Sequence, residues 1–223
     1  MQKKIILIDI VLLFFIVNFS FSQNYFEKKY PTYGGGISFG YCYYFPNDLN
    51  DYIDLQITGT KKEHINTGID VGLFFAYAPA KYIEIVPEFN YMYSRHSFNY
   101  TTMDLVVNYV QLGGTIYYIK MLRPGINLRF GGGASNYWGN VSWEANSTQT
   151  WKGATIGFHG AVGGELVLNS NMSASLLILG RFSKITELEH NNGYIIKKAD
   201  GSNDNLHLNL SGIEVKVMLH YYL

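Results

Sequence analysis

The sequence predicts an all-β fold, an eight-stranded antiparallel up-and-down transmembrane β-barrel. Three observations predict it. Eight stretches alternate apolar and polar residues with the period of two that sends successive side chains to opposite faces of a strand. Their connections alternate in length, tight around Pro79, Met121 and Asn169, longer and polar around Asn50, His96, Glu144 and Asp200; short turns at one end and long loops at the other characterise membrane barrels. Finally, Met1 to Ser22 reads as a secretory leader, with Lys3 and Lys4 ahead of an apolar run from Ile5 to Val17 and small residues at Ser20 and Ser22. That run is short for a spanning helix, which needs about 20 apolar residues. The expected organisation is a signal peptide over 1–22, a short periplasmic segment over 23–32 and a barrel domain over 33–223.

The first strand, Tyr33 to Phe45, turns Ile37, Phe39, Tyr41 and Tyr43 outward and Ser38, Gly40 and Cys42 inward. The second, Ile65 to Tyr77, places Ile65, Thr67, Ile69, Val71, Leu73, Phe75 and Tyr77 on the lipid face, and Ala78 to Lys81 is expected to turn the chain. The third, Tyr82 to Arg95, sets Ile83, Ile85, Phe89, Tyr91 and Tyr93 against Glu84, Glu88, Asn90 and Ser94. In the fourth, Asp104 to Ile119, Val110, Leu112, Ile116 and Tyr118 face lipid while Tyr109, Gln111 and Thr115 face inward.

The fifth, Arg123 to Tyr137, opposes Ile126, Leu128 and Phe130 to Asn127 and Arg129. Its Gly131–Gly133 run implies a bend, a bulge or tight packing in a narrow barrel. The sixth, Trp151 to Leu168, brings His159 and Glu165 inward, and the seventh, Met172 to Ile185, brings Ser173, Ser175 and Arg181. The last, Leu206 to Leu223, carries Glu214, Lys216 and His220 on its inner face; Leu208 and Leu210 break the parity, so a bulge is expected near Ser211 or Gly212. Two aromatic girdles are expected at the lipid–water boundaries, Tyr77, Tyr82, Tyr118 and Tyr221 on one rim and Tyr43, Tyr93, Tyr137 and Trp151 on the other.

Composition agrees with two-faced strands. Mean hydropathy is near zero, and only 15% of residues are charged, against about a quarter in soluble domains. Formal net charge is zero, which gives no footing for a nucleic-acid partner. Cys42 is the only cysteine, so no internal disulfide forms.

Three motifs carry a resemblance: Tyr82-Ile83-Glu84-Ile85-Val86-Pro87-Glu88-Phe89-Asn90-Tyr91, Asn108-Tyr109-Val110-Gln111-Leu112, and Arg181-Phe182-Ser183-Lys184-Ile185-Thr186. On them the chain resembles the PorT-like outer-membrane β-barrel family of Bacteroidetes, small porin-like barrels. Gly113 stands where that family usually has proline, and the chain ends in Leu223 where phenylalanine is frequent. The resemblance implies location in the cell outer membrane and architecture. The secretion and gliding role of one such protein does not follow, since no residue here singles it out.

The expected lumen holds Asp70, Glu84, Glu88, Glu165 and Glu214 with Arg129, Arg181, Lys216 and His159. Eight strands enclose just enough room for side chains, so these groups are expected to form a structural ion-pair network rather than a pore. Catalysis would need a nucleophile and a base converging near the outer rim. His64, His96 with Ser94, Ser97 and Asp104, and His190 with Glu187, Glu189 and His207 lack diagnostic spacing; the last group could equally bind a metal weakly, but solvated loop clusters are the expected reading, so no enzyme, cofactor or metal site is expected. No helix is expected. The long loops Pro46 to Glu63 and Thr186 to Asn205 are the candidate binding surface; Asp54 to Thr60 reads as strand continuation or a docking segment. Expected partners are outer-membrane lipid, the barrel-assembly machinery during insertion, and an extracellular or periplasmic protein of unknown identity. The function expected is a structural, interaction or assembly role through the external loops. The alternatives are a narrow porin-like channel for small solutes and a lipid- or peptide-modifying enzyme.

Overall fold

The computed structural model describes residues 30, 32–56, 64–98, 104–144, 148–198 and 201–223. The leader and most of the segment before the barrel lie outside the described residues. Seven long strands come first: β1 (Thr32–Tyr44), β2 (Thr67–Ala80), β3 (Ile83–Ser97), β4 (Asp104–Arg123), β5 (Ile126–Glu144), β6 (Thr148–Val167) and β7 (Met172–Phe182). Three two-residue strands follow, β8 (Lys184–Ile185), β9 (Glu189–His190) and β10 (Leu208–Asn209), then the long β11 (Gly212–Tyr222). The eight long strands pair antiparallel in sequence order, and β11 pairs with β1 from Gly34–Tyr222 to Tyr44–Gly212. Closure leaves the ring no free edge, a condition for crossing a bilayer with strands.

The stagger of the ring is legible in its pairings. From Val162 on β6 the partners run through Ile178, Val215, Tyr41, Ile69, Tyr93, Asn108 and Asn140 and return to β6 at Lys152, ten residues from the start. Strands so staggered must tilt, at about 35–45° for barrels of this kind. The outer surface is inverted relative to a water-soluble protein. Phe39, Ile69, Leu73, Ile116, Ile156, Phe158, Phe182 and Ile213 all point away from the ring with much of their surface uncovered. A continuous belt of this sort far exceeds the apolar patches that water tolerates, so lipid is its solvent.

Alternation assigns the faces of all eight long strands, but the ends differ. The second turn lies at Pro124–Gly125, after Met121, with Gly125 in the left-handed region at φ 80°; a Pro-Gly pair is itself a turn signal. The first lies at Lys81–Tyr82, because β2 continues through Pro79 by a register shift between Tyr77 and Ala80. β5 and β6 pair up to Glu144–Thr148, so paired strand replaces most of the long connection expected there. The register of β5 runs unbroken through Gly131–Gly133. Tight packing is therefore their role: a Cβ on Gly131 would lie 2.6 Å from the Tyr117 ring. Tyr137 and Trp151 leave the expected girdle and point inward, in parity with Arg129 and His159.

The largest departure is at the long-loop end. The expected loop after Pro46 opens with a helix, α1 (Asn47–Gln56), its first turn carrying Asp48 where the helix dipole favours an acid. Leu49 and Ile53, four residues apart and so on one face, are buried. Asn50 ties the helix to Ile65 in both directions, accepting from its N–H at 3.1 Å and donating to its carbonyl at 3.4 Å. Residues 57–60 of the expected docking stretch lie outside the described residues. Ile65 is buried against this helix cluster and precedes β2 rather than facing lipid. In place of the expected bulge, the last strand breaks at Leu210–Ser211. β10 leaves the ring and pairs with β8, Leu208 opposite Ile185. Seating is provided by Gly139, whose Cβ would stand 2.6 Å from Ile185 Cδ1.

Candidate functional site

The interior has two storeys. The upper one, toward the long loops, is apolar. Leu49, Ile53, Leu105, Val107, Val141, Trp143, Trp151, Ile185, Leu188, Leu206, Leu208 and Leu210 pack into one cluster that covers the mouth of the ring. Backbone bonds hold it: Ile196 N–H to the Leu188 carbonyl at 3.0 Å, Leu206 N–H to the Ile196 carbonyl at 2.9 Å, and Leu210 N–H to the Ser183 carbonyl at 2.9 Å. Lys198 and Asp48, 3.7 Å apart, link the long loop to α1.

The lower storey sets a smaller apolar cluster around Phe74, Leu177 and Met218 beside a polar network, and carries all nine lumen residues named from the sequence. Every one of them is buried. Nearest the short turns, Arg129 pairs with Glu84 and lies 3.7 Å from Glu165 Oε1. Its guanidinium sits over the Tyr117 ring, 4.4 Å from the centroid. The Tyr222 hydroxyl bonds to Glu84 at 2.9 Å and reaches Glu165 at 3.3 Å. Ser173 and Asn127 donate to Glu165 at 2.6 and 2.9 Å. At mid-height Lys216 stands 3.2 Å from Glu88, 3.3 Å from Glu214 and 3.8 Å from Asp70. Thr115 donates to Glu88 at 2.8 Å and lies 2.7 Å from His159 Nε2. Above them Arg181 pairs with Glu214 at 3.5 Å, donates through Nε to the Leu210 carbonyl at 3.0 Å, and bonds to the Tyr109 hydroxyl.

Buried charge is tolerable when paired and hydrogen-bonded, and three cations here serve five carboxylates from β2, β3, β6 and β11. Each layer draws on strands far apart in sequence, so the ten-residue stagger decides which acid meets which base. Tyr117 and Tyr222 are not among the residues expected from sequence. Their parity with Thr115 and His220 gives their orientation, but neither carries a charge to mark it.

The loop histidines are dispersed. His64 lies 3.6 Å from Asp54. His96 stacks edge-on against Phe98, while Asp104 is taken by Arg95. The bonds from Arg95 and Ser97 hold the Asp104 carboxyl below its ordinary value near 3.8. Ser94 is buried and donates to the Thr67 carbonyl. His190 lies against Trp151, and His207 Nδ1 bonds to the Thr186 carbonyl at 3.1 Å. Among the described residues, the one set of three potential metal ligands that converges is Cys42, Asp70 and Glu214. Lys216 already supplies the cation to both carboxylates there.

No family model matches the chain, and no curated protein does. Solved structures do. A major outer membrane protein from Thermus thermophilus superposes with a TM-score of 0.51 at 10% identity, over 86% of this chain and 99% of that one. Neisserial surface protein A gives 0.49 at 10% identity over 85% and 96%. The attachment invasion locus protein of Yersinia pestis, crystallised with a heparin analogue, gives 0.45 at 9% identity over 86% and 97%. At such identities the likeness is one of fold. With an apolar belt facing outward on that fold, the chain is a small eight-stranded β-barrel of the cell outer membrane.

Proposed function

We propose that this barrel is a sealed, non-catalytic component of the outer membrane that acts through its long-loop end, in a structural, adhesion or assembly role. One observation carries the reading: two seals stand in series along the lumen, the ion-paired storey around Arg129, Lys216 and Arg181 and the apolar storey above it. A protein chain has no passage through such an interior, and a small solute would have to displace both. The dispersed loop histidines support a role without catalysis.

Kinship with the PorT-like barrels of Bacteroidetes belongs to this reading, and its support is the three strand motifs. The partners that follow are the surrounding lipid, the assembly machinery during insertion, and a protein that meets the loops.

The test is heat-modifiable gel mobility of the protein extracted from outer membranes, followed by conductance in planar bilayers. A compact band that shifts on boiling, with no steady conductance, is the expected result. Stable conductance replaces this reading with the narrow channel for small solutes.

A further inference from the structure

A groove of about 450 Å³ lies not in the lumen but on the outer wall, where β5, β6 and β9 meet. Its position is set by two strands. Along the outer face of β6 the series Phe158, Ile156, Ala154, Lys152 passes from apolar to charged, and on β5 Trp138 is followed by Asn140. The groove therefore straddles the edge of the lipid belt at the long-loop end. Its floor is the backbone of Gly139 and Gly153, whose missing side chains would point inward, together with the small outward methyl of Ala154. β9 extends the sheet by pairing Glu189 with Lys152, which brings Glu189 and Asn191 to the rim.

We propose that this groove binds the phosphorylated sugar headgroup of an outer-leaflet glycolipid. The groove continues the lipid-facing surface, so its occupant comes from the surrounding leaflet, with acyl chains lying on Ile156 and Phe158. An exposed indole flanked by amides and a carboxylate is the chemistry of sugar recognition: the ring of Trp138 covers a sugar face, while Asn191 and Glu189 meet hydroxyls. Asn140 is held in place by donating to Asn108 at 2.9 Å. Lys152 provides the cation for a phosphate. A phospholipid with neither sugar nor hydroxyl-rich headgroup uses only part of this set.

The three tryptophans make the test direct. Trp138 is 44% exposed, whereas Trp143 and Trp151 are 7% and 9% exposed within the upper storey. Folded protein in detergent is titrated with diphosphorylated lipid A, dephosphorylated lipid A, phosphatidylglycerol and phosphatidylcholine, reading tryptophan emission and the lipid adducts retained in native mass spectrometry. Diphosphorylated lipid A is expected to shift the emission and persist as an adduct. Trp138→Leu is expected to abolish the shift, and Lys152→Ala to weaken binding about tenfold, the loss of one charge-assisted hydrogen bond. Lys120→Ala, at the opposite rim, is expected to leave it unchanged. Equal retention of phosphatidylglycerol, indifference to the phosphates, or equal loss in the Lys120 variant overturns the proposal. Heat-modifiable mobility of each variant confirms that the barrel is folded.

Discussion

Arg129 of β5 and Glu84 of β3 form an ion pair whose two side chains are withdrawn completely from solvent. Glu165 and Tyr222 close around the same pair, so four strands are joined at one point. Removing one charge leaves the others stranded. Arg129→Met is expected to lower stability by about 3–5 kcal/mol, the cost of orphaning a buried partner. Glu84→Gln is expected to cost less, because Glu165 still faces the guanidinium. Urea unfolding midpoints of the two variants refolded into lipid vesicles check the order.

Gly131 and Tyr117 make a second, steric pairing. A methyl at Gly131 meets the ring at 2.6 Å, so Gly131→Ala is expected to cost about 1–3 kcal/mol through overpacking. Adding Tyr117→Leu frees that space and recovers part of the loss, although the ring contact to Arg129 goes with it. A double-mutant cycle by the same unfolding assay should show coupling well outside additivity.

The upper storey is separable from the membrane ring. Ile53→Asp puts a carboxylate into the apolar cluster beside Leu49, and is expected to open α1 and the long loop while the heat-modifiable band persists. Limited proteolysis should then cut near the loops at least about tenfold faster, as expected for a local destabilisation of more than 1.4 kcal/mol. Asp48→Ala, which breaks the partly exposed contact with Lys198 and removes one acid from the first turn of α1, each worth at most about 1 kcal/mol, should change cleavage far less.

Much of this was legible in the sequence, and the limits have physical causes. A period of two reports lipid against lumen only where lipid is present, which is why the inward set from Asp70 to Lys216 could be read strand by strand. Above the bilayer the inner face is itself apolar, as at Leu105, Val107 and Val141, so the contrast vanishes and β8, β10 and the cap go unseen. α1 was hidden differently: Leu49, Tyr52, Ile53 and Leu55 stand in a ten-residue stretch half made of Asn and Asp, residues that favour turns. The pairings in the lumen depend on stagger between strands, and alternation within a strand carries no information about that.

Asp104 offers a pH readout outside the membrane. Arg95 and Ser97 hold its carboxyl below the ordinary value near 3.8, so the folded form favours the carboxylate. A depressed value gives stability that is present above the unfolded value and is lost as pH falls through the folded one. Carboxyl NMR titration should find Asp104 ionised below pH 3.8, with Arg95→Ala moving it upward. Unchanged titration in that variant would mean the pair does not set the shift.

Every level of the polar storey includes a side chain from the final strand: Tyr222 and His220 near the short turns, Lys216 at mid-height, Glu214 above. Before β11 joins the ring, Glu88 and Asp70 have no ammonium and Arg181 has no carboxylate, so the open sheet must be held where its charges can stay hydrated. β11 is thus a keystone: a ring lacking it is both unclosed and internally unneutralised.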